Sequence, residues 1–375
     1  MRLKKYSYTE FVDTPKEWIL EPLDLQQLNL IVGINSTGKS RTLNTISSLS
    51  KMLNGGPVLS GGDFIAEFEH DNQEWRYELY TKDQLVTKEI LTRNDQTLLQ
   101  RGEGGEGKIW AEELNRDLKF QTPQSQVAAY SRYDTIQHAF LGPLVKWADQ
   151  TYHFHFGGHT LGKNNLLLPV SGIETEINFK DETQTIQIFR EGMKRFSGRF
   201  QTSILKSMNR VGYKINSVDV GHATQLRIQG WGDAKVETLR VKEDGINTYV
   251  EQQFMSDGMF SALAIIIHLT YGLLSQSPEC ILLDDIGQGL DFERSSALIE
   301  VLVEEITESQ AQIIMTSNDR FIMNAMNLDY WTVLVRDKTT VRPFNKFNSP
   351  EKFKDFKFTG LSNFDFFSQS YVTRH

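Results

Sequence analysis

The chain has 375 residues, 39% hydrophobic and 23% charged, an ordinary globular composition with ample length for a large core. Its single cysteine, Cys280, excludes an internal disulfide framework and any zinc site built on cysteine pairs, and a formal net charge of −8 argues against blanket affinity for nucleic acid. No apolar signal region follows Met1 and no run of about 18 apolar residues occurs, so a cytoplasmic protein that does not engage a membrane is expected.

In chain order, "LNLIVG" (28–33) predicts a short buried strand, followed by a glycine-bearing turn and a helix over about 38–53. Between about 63 and 120, "DFIAEFEH", "EWRYELYTK" and "QLVTKEILTR" alternate apolar and polar residues between polar turns, the pattern of antiparallel sheet. "GEGGEGK" contains G-x-G-x-x-G at Gly102, Gly104 and Gly107. It lies inside that sheet, and Glu103 and Glu106 would repel phosphate, so it reads as a hairpin loop. From about 130 to 215, helices are expected over "RYDTIQHAFLGPLVKWADQTY" and "GRFQTSILKSMNRVGY" and strands over "TEINFK" and "TIQIF". Two more strands, "TQLRIQG" and "VETLRVKE", precede a helix from about 258. Strand, helix and strand then alternate to "YWTVLVRD", as in a parallel sheet covered by helices.

Three motifs carry chemistry. "GINSTGKS" (33–40) matches G-x-x-x-x-G-K-[ST] in full, with a strand before it and a helix after. Its glycines let backbone N–H groups turn onto phosphate oxygens, and the helix N-terminus adds positive potential. Lys39 suits the β- and γ-phosphates of ATP and the Ser40 hydroxyl suits Mg²⁺. In "ILLDDIGQGLD" (281–291) a buried strand ends in Asp284 and Asp285. Adjacent carboxylates there repel each other and are costly to desolvate unless a cation faces them. Asp284 suits a direct or outer-shell partner of Mg²⁺, and Asp285 suits orientation of the attacking water. In "FMSDGMFSALAI", Ser256, Asp257 and Gly258 open a strongly apolar helix. Alone they are a plain N-cap; beside the other two motifs they form a second anion site that one chain cannot use on its own nucleotide.

The order "GINSTGKS", "MSDGMF", "ILLDDIGQGLD" resembles the ABC-type ATPases, and within them the RecF, SMC and OLD-like branch often labelled AAA family ATPases. The closing "FTGLSNFDFF" resembles C-termini of bacterial ATPases of this kind. The resemblance implies an α/β P-loop NTPase fold: an ABC-type ATPase head with a mixed central sheet, an antiparallel β-subdomain and a helical insert. One domain would span 1–375, with an N-lobe over 1–130, a helical and β insert over 131–250, and a signature and Walker B lobe over 251–375. It further implies a head-to-tail ATP sandwich. Gly33, Asn35, Ser36, Thr37, Gly38, Lys39 and Ser40 of one subunit would hold ATP, with Ser40 and Asp284 on Mg²⁺. Ser256, Asp257, Gly258 and Asp291 of the other subunit would close over it.

Two departures from that pattern matter. Asp285 stands where such ATPases usually have glutamate, a change that RecF-like proteins share, and a carboxylate misplaced by about an ångström can cost about 10²-fold in rate. Asn318 in "IIMTSNDRF" stands where a histidine is usual, and an amide cannot carry imidazolium charge. Asp285 and Asn318 are therefore the expected catalytic positions of a slow or partner-dependent hydrolase. The glutamine that senses Mg²⁺ and water in such ATPases is expected in "FQTPQSQV", at Gln121, Gln124 or Gln126.

Two weaker signals remain. The 190–214 segment carries Arg190, Lys194, Arg195, Arg199, Lys206, Arg210 and Lys214 against Glu191 alone, either a solvated helix face or a track for DNA or RNA phosphates. "HFHFGGH" holds His153, His155 and His159, a conceivable metal trio or simply the His and aromatic alternation common in sheets. The expected function is an ATP-binding, slowly hydrolysing ATPase that assembles as a homodimer or larger homo-oligomer. The chain ends too soon after Asn318 for a fused nuclease, so a separately encoded effector, a nuclease or toxin, is expected, in antiphage defence or DNA repair. A nucleotide-binding scaffold without useful turnover is the alternative. A transporter subunit fits less well, given the long stretch between Ser40 and Ser256 and the S-D-G form.

Overall fold

A computed structural model describes residues 1–156, 161–165, 177–224, 236–275, 278–309, 311–357, 359–369 and 371–373. Strands β1 (Arg2–Glu10) and β2 (Trp18–Asp24) form a hairpin that leads into β3 (Leu28–Val32), buried along its whole length. Helix α1 (Lys39–Leu53) follows the turn at 33–38 and buries Leu43, Ile46, Leu49 and Leu53, the spacing of three and four residues that gives a helix one apolar face.

The alternating run folds into six antiparallel strands: β4 (Gly61–His70), β5 (Gln73–Lys82), β6 (Leu85–Arg93), β7 (Gln96–Arg101), β8 (Glu106–Ala111) and β9 (Arg116–Gln121). The links Asp71-Asn72, Asp83-Gln84 and Asn94-Asp95 have positive φ at both residues, as two-residue turns between right-twisted strands require. The glycine-rich stretch joins β7 to β8.

This sheet contains a buried ion pair. Glu89 and Arg101 have fully buried side chains 3.2 Å apart. Glu89 also accepts from Tyr77 Oη at 3.0 Å and from the backbone N–H groups of Ala128 and Ala129 at 2.8 Å. Those two amides open α2 (Ala128–Ser131), so the pair staples the chain leaving the sheet back onto it. Removing one partner of such a pair strands the other charge. Glu89→Ala is expected to lower unfolding stability by about 3–5 kcal/mol, read from a denaturant melt. A loss under about 1 kcal/mol would show that the staple carries little of the stability.

The rest of the chain builds the parallel part. It runs through α3 (Gly142–Asp149), β10 (Thr151–His155) and α4 (Thr185–Arg210). A small antiparallel sheet follows, β11 (Ile215–His222), β12 (Glu237–Glu243) and β13 (Val250–Glu251). Then come α5 (Asp257–Ser275), β14 (Cys280–Asp284), α6 (Phe292–Ser309), β15 (Gln312–Thr316), α7 (Arg320–Ala325), β16 (Trp331–Asp337) and β17 (Thr340–Asn345). Helices α8 (Pro350–Lys357) and α9 (Asn363–Ser368) follow, and a 3₁₀ turn at Tyr371–Thr373 ends the described fold.

One 14-stranded sheet unites both halves in the order β10-β14-β15-β3-β16-β17-β2-β1-β4-β5-β6-β7-β8-β9. β10, β14, β15, β3 and β16 are mutually parallel, β17 pairs parallel with β2, and the remaining neighbours are antiparallel. This is the α/β architecture with a mixed central sheet that the motifs imply. The parallel strands alternate their faces. Cys280, Leu282, Ile314 and Ile31 pack in the core under α1, whereas Ile281, Leu283, Ile313 and Leu30 pack in the core under α5 and α6. Helix α5 is apolar over 19 residues, enough by length and composition to cross a bilayer, and it is mostly buried against the sheet and α4.

Four sequence expectations fail here. "TIQIF" (185–189) is not a strand but the first turns of α4. Its two-residue alternation is too short to exclude a helix, and Ile186 and Phe189 bury a helical stripe in α4, which kinks at Ser197 (φ 47) before running on to Arg210. The helix expected over 132–152 is confined to α3, preceded by a 3₁₀ turn at Ala139–Leu141. Asp134 accepts from the amides of Ile136 and Gln137, a local turn that competes with helix, and Pro143 sets the true start. Third, the glutamines of "FQTPQSQV" stay with the antiparallel sheet: Gln121 donates to Gly104 O, Gln124 to Val86 O, and the Gln126 carbonyl accepts from Arg101. β9, which carries Gln121, is the edge strand at the opposite end of the sheet from β14 and β3. The strand expected over "TEINFK" (175–180) also fails, because 177–180 are loop and turn, while 175 and 176, nearly all of "TQLRIQG" and His159 lie outside the described residues.

Candidate functional site

In a parallel sheet the crevice for a ligand lies beyond the carboxyl ends of the strands. β3 ends there in the 33–40 loop and β14 ends there in Asp284 and Asp285. The loop is shaped by its small residues. A Cβ on Gly33 would lie 2.6 Å from Thr37 Oγ1 and 3.0 Å from the Leu334 carbonyl. Gly38 has φ +107, and a Cβ there would press on the Trp18 ring at 3.0 Å. Ser36 also has positive φ, 66°, and its carbonyl accepts from Arg336 at 3.1 Å. Thr37 closes the loop by donating from its hydroxyl and its N–H to Ile34 O at 2.9 and 3.3 Å.

Lys39, the first residue of α1, folds its buried amine back into this loop, donating to Gly33 O at 2.8 Å and Ile34 O at 3.3 Å. Burial pulls the ammonium below its usual range, and Asp285 and Asp284 partly oppose that shift. The lysine and the carboxylate pair therefore share one cleft.

The pair is asymmetric. Asp284 is buried and accepts from the Thr316 hydroxyl. Asp285 has φ +53, which turns its side chain out of the strand, and its N–H donates to the same Thr316 Oγ1 at 2.9 Å. Burial and then repulsion by Asp284 push the Asp285 carboxyl up, while Lys39 and His155 pull it down. Asn318 donates to Asn35 Oδ1 at 3.0 Å, so the loop after β15 touches the phosphate loop directly. A cavity of about 340 Å³ lies between Asp285, Gln288, Gly289, Ser317 and Asn318.

The second group sits at the start of α5. Ser256 Oγ accepts from Met259 N–H at 3.2 Å, the N-cap arrangement. Asp257 pairs with Lys163, which also donates to Met255 O at 2.7 Å. A Cβ on Gly258 would lie 2.4 Å from Gly289 O, so the helix start packs on the loop leaving Asp285. Asp291 opens α6, accepting from Arg294 N–H at 3.0 Å and pairing with the Arg294 guanidinium.

The structure thus brings Gly33, Asn35, Lys39, Asp284, Asp285 and Asn318 together and joins Ser256, Asp257, Gly258 and Asp291 to them through the 285–291 loop. Sequence reasoning missed Thr316, which locks both aspartates, and Lys163, which fixes Asp257. Thr316 had a visible signal, one residue before Ser317 and Asn318 at a strand end; Lys163 had none. It also missed Glu182, whose carboxylate receives His155 Nδ1 at 3.0 Å and His155 N–H at 2.6 Å. No cluster of three metal-ligating side chains occurs among the described residues. The basic block lies mostly on α4, where Arg190 pairs with Glu237 and Arg210 with Glu304, so part of its charge is spent internally.

A family model described as "AAA domain, putative AbiEii toxin, Type IV TA system" matches residues 28–324. No curated protein matches the sequence. Among solved structures, the chain is similar to an SMC head bound to the C-winged helix domain of ScpA, with a TM-score of 0.52 and 12% identity over 92% of this chain and 97% of that one. It is also similar to the Pyrococcus furiosus Smc head domain with an extended coiled coil bound to the C-terminal domain of ScpA, with a TM-score of 0.50 and 10% identity over 95% and 99%.

Proposed function

Because this chain belongs to the AAA-domain family described as putative AbiEii toxin, Type IV TA system, and has an ABC-type ATPase head fold, we propose that the Lys39–Asp285 cleft binds MgATP and hydrolyses it slowly. The observation that carries this is the shared cleft: a buried lysine amine, turned onto loop carbonyls, within electrostatic reach of two adjacent carboxylates. The residues fit the ligand. Gly33 and Gly38 keep the loop open to phosphate, and the Lys39 ammonium needs only to exchange two carbonyls for phosphate oxygens. Ser40 and Asp284 would hold Mg²⁺, which when bound neutralises phosphate charge and offsets the aspartate repulsion. Asp285, turned outward by its backbone, orients the attacking water. Asn318 offers its amide to the γ-phosphate.

Asp285→Ala tests the hydrolytic half of this proposal. Single-turnover hydrolysis should fall by about 10²-fold or more, the contribution of a positioned base, with nucleotide binding kept. Equal rates in wild type and variant would favour the alternative, a nucleotide-binding scaffold without useful turnover.

Assembly is part of the same proposal. Ile34 in the phosphate loop, Phe254 before Ser256, and Phe292 after Asp291 are 69, 57 and 54% exposed. Large apolar side chains at three motif borders suit a surface covered by a second copy. In that homodimer or higher homo-oligomer, Ser256, Asp257, Gly258 and Asp291 would face the partner's ATP. The ATP-closed state would act as sensor or scaffold for a separate effector, a nuclease or toxin, in cytoplasmic antiphage defence or DNA repair. DNA or RNA contact would fall on Lys194, Arg195, Arg199, Lys206 and Lys214, the exposed remainder of the basic block.

A further inference from the structure

We propose that β9, the open edge of the large sheet, pairs antiparallel with β9 of a second copy of this chain, at an interface separate from the nucleotide cleft. β9 closes the strand order at the end far from β14 and β3, so the contact needs no nucleotide. The parity of the ladder shows which main-chain groups the edge leaves open. Thr122 N–H donates to Gly105 O at 2.9 Å, and the register runs from Glu106 opposite Gln121 to Ala111 opposite Arg116. The peptide groups of Arg116, Leu118 and Phe120 therefore point inward to β8, and those of Asp117, Lys119 and Gln121 point outward. The Gln121 carbonyl indeed accepts from the Arg132 guanidinium. Among the described residues, nothing bonds the outward groups of Asp117 and Lys119.

An open edge is ordinarily guarded by charge, lysine above all. Here the charges alternate in sign, and the alternation is complementary to itself. About a two-fold axis at Leu118, Asp117 stands opposite the partner's Lys119, and Lys119 opposite the partner's Asp117. These are the residues whose peptide groups point outward, so each pair exchanges both main-chain hydrogen bonds and sets a carboxylate beside an ammonium on one face. Both side chains are exposed, and neither has an ion-pair partner among the described residues. Within one chain Lys119 faces Lys108 directly across the ladder, a like-charge pair that costs stability and that the partner's Asp117 relieves. On the other face Leu118, opposite the buried Ile109, meets its own copy. Apolar surface continues beside the strand: Leu114, Tyr133 and Ile136 are 48, 41 and 61% exposed. Arg132 donates to Thr122 Oγ1 at 2.9 Å and Glu112 N–H to Gln137 O at 3.1 Å, which ties the 132–137 segment to the chain on either side of β9. Strand addition of this kind over so short an edge belongs to the weak class of interfaces. A dissociation constant of about 10⁻⁴ M follows, so the contact joins chains where they are concentrated.

Sedimentation equilibrium of the full chain in EDTA, without nucleotide and at low salt, tests the pairing. Wild type should be a monomer at about 5 µM and mostly a dimer at about 500 µM. Asp117→Lys and Lys119→Asp should each weaken that dimer by about tenfold or more, because both cross-strand pairs become repulsive. An equimolar mixture of the two variants should regain wild-type association within about threefold, since each then offers the sign that the other lacks. That recovery would also show that both variants fold. Wild type that stays monomeric at about 500 µM, a dimer unmoved by either swap, or a mixture that stays apart would overturn the edge pairing. None of these outcomes bears on the MgATP cleft, whose uptake is read separately by calorimetry.

Discussion

Lys39→Ala is expected to weaken MgATP binding by about 10²–10³-fold, the loss that follows when a buried, hydrogen-bonded charge is removed from its partner. The geometry sets that size. The amine sits inside the loop it would share with phosphate, at 2.8 Å from Gly33 O, so no neighbouring cation can slide into its place. The fold should tolerate the change. Burial already disfavours the charged amine, and removing it relieves that cost while losing two hydrogen bonds to loop carbonyls, each worth about 1 kcal/mol. Melting should therefore shift little while calorimetric binding collapses. Unchanged nucleotide binding and assembly in a folded variant would remove Lys39 from the phosphate site.

Ser256→Arg should leave a folded monomer and abolish ATP-driven dimerisation. Ser256 is exposed in the single chain and its Oγ caps α5 through Met259 N–H, so the monomer loses about 1 kcal/mol. In the proposed sandwich the same position lies against the partner's phosphates. A long side chain there would occupy the space that the partner's nucleotide must fill in the closed dimer, and such overpacking is destabilising. Light scattering with MgATP should show wild type doubling its mass and the variant remaining a monomer. A variant that doubles normally would contradict the head-to-tail arrangement.

What was legible in the sequence was local. The phosphate loop is one contiguous octapeptide whose glycines, lysine and serine are fixed by short-range backbone geometry, and the apolar run into Asp284 announces a strand end. The alternating residues of 61–121 gave their sheet away because short polar turns, among them Asp71-Asn72, Asp83-Gln84 and Asn94-Asp95, punctuate them. The order of strands in the large sheet was not legible. Nothing in "TYHFH" says that it pairs with "CILLD" across more than a hundred intervening residues, and that pairing is what sets His155 beside the aspartates. The glutamine expectation failed for the same reason. It relied on chain position, whereas Glu89 and Arg101 draw 126–129 back onto the antiparallel sheet. Glu182 was invisible because its partner lies 27 residues away on a different element, and "TIQIF" misled because five residues satisfy two periodicities.

Titration of MgATP into the wild-type chain, followed by calorimetry, tests the central claim most directly. The cleft described here predicts saturable uptake of about one nucleotide per subunit, tightened by Mg²⁺ through the two aspartates. A flat titration at millimolar MgATP would contradict it.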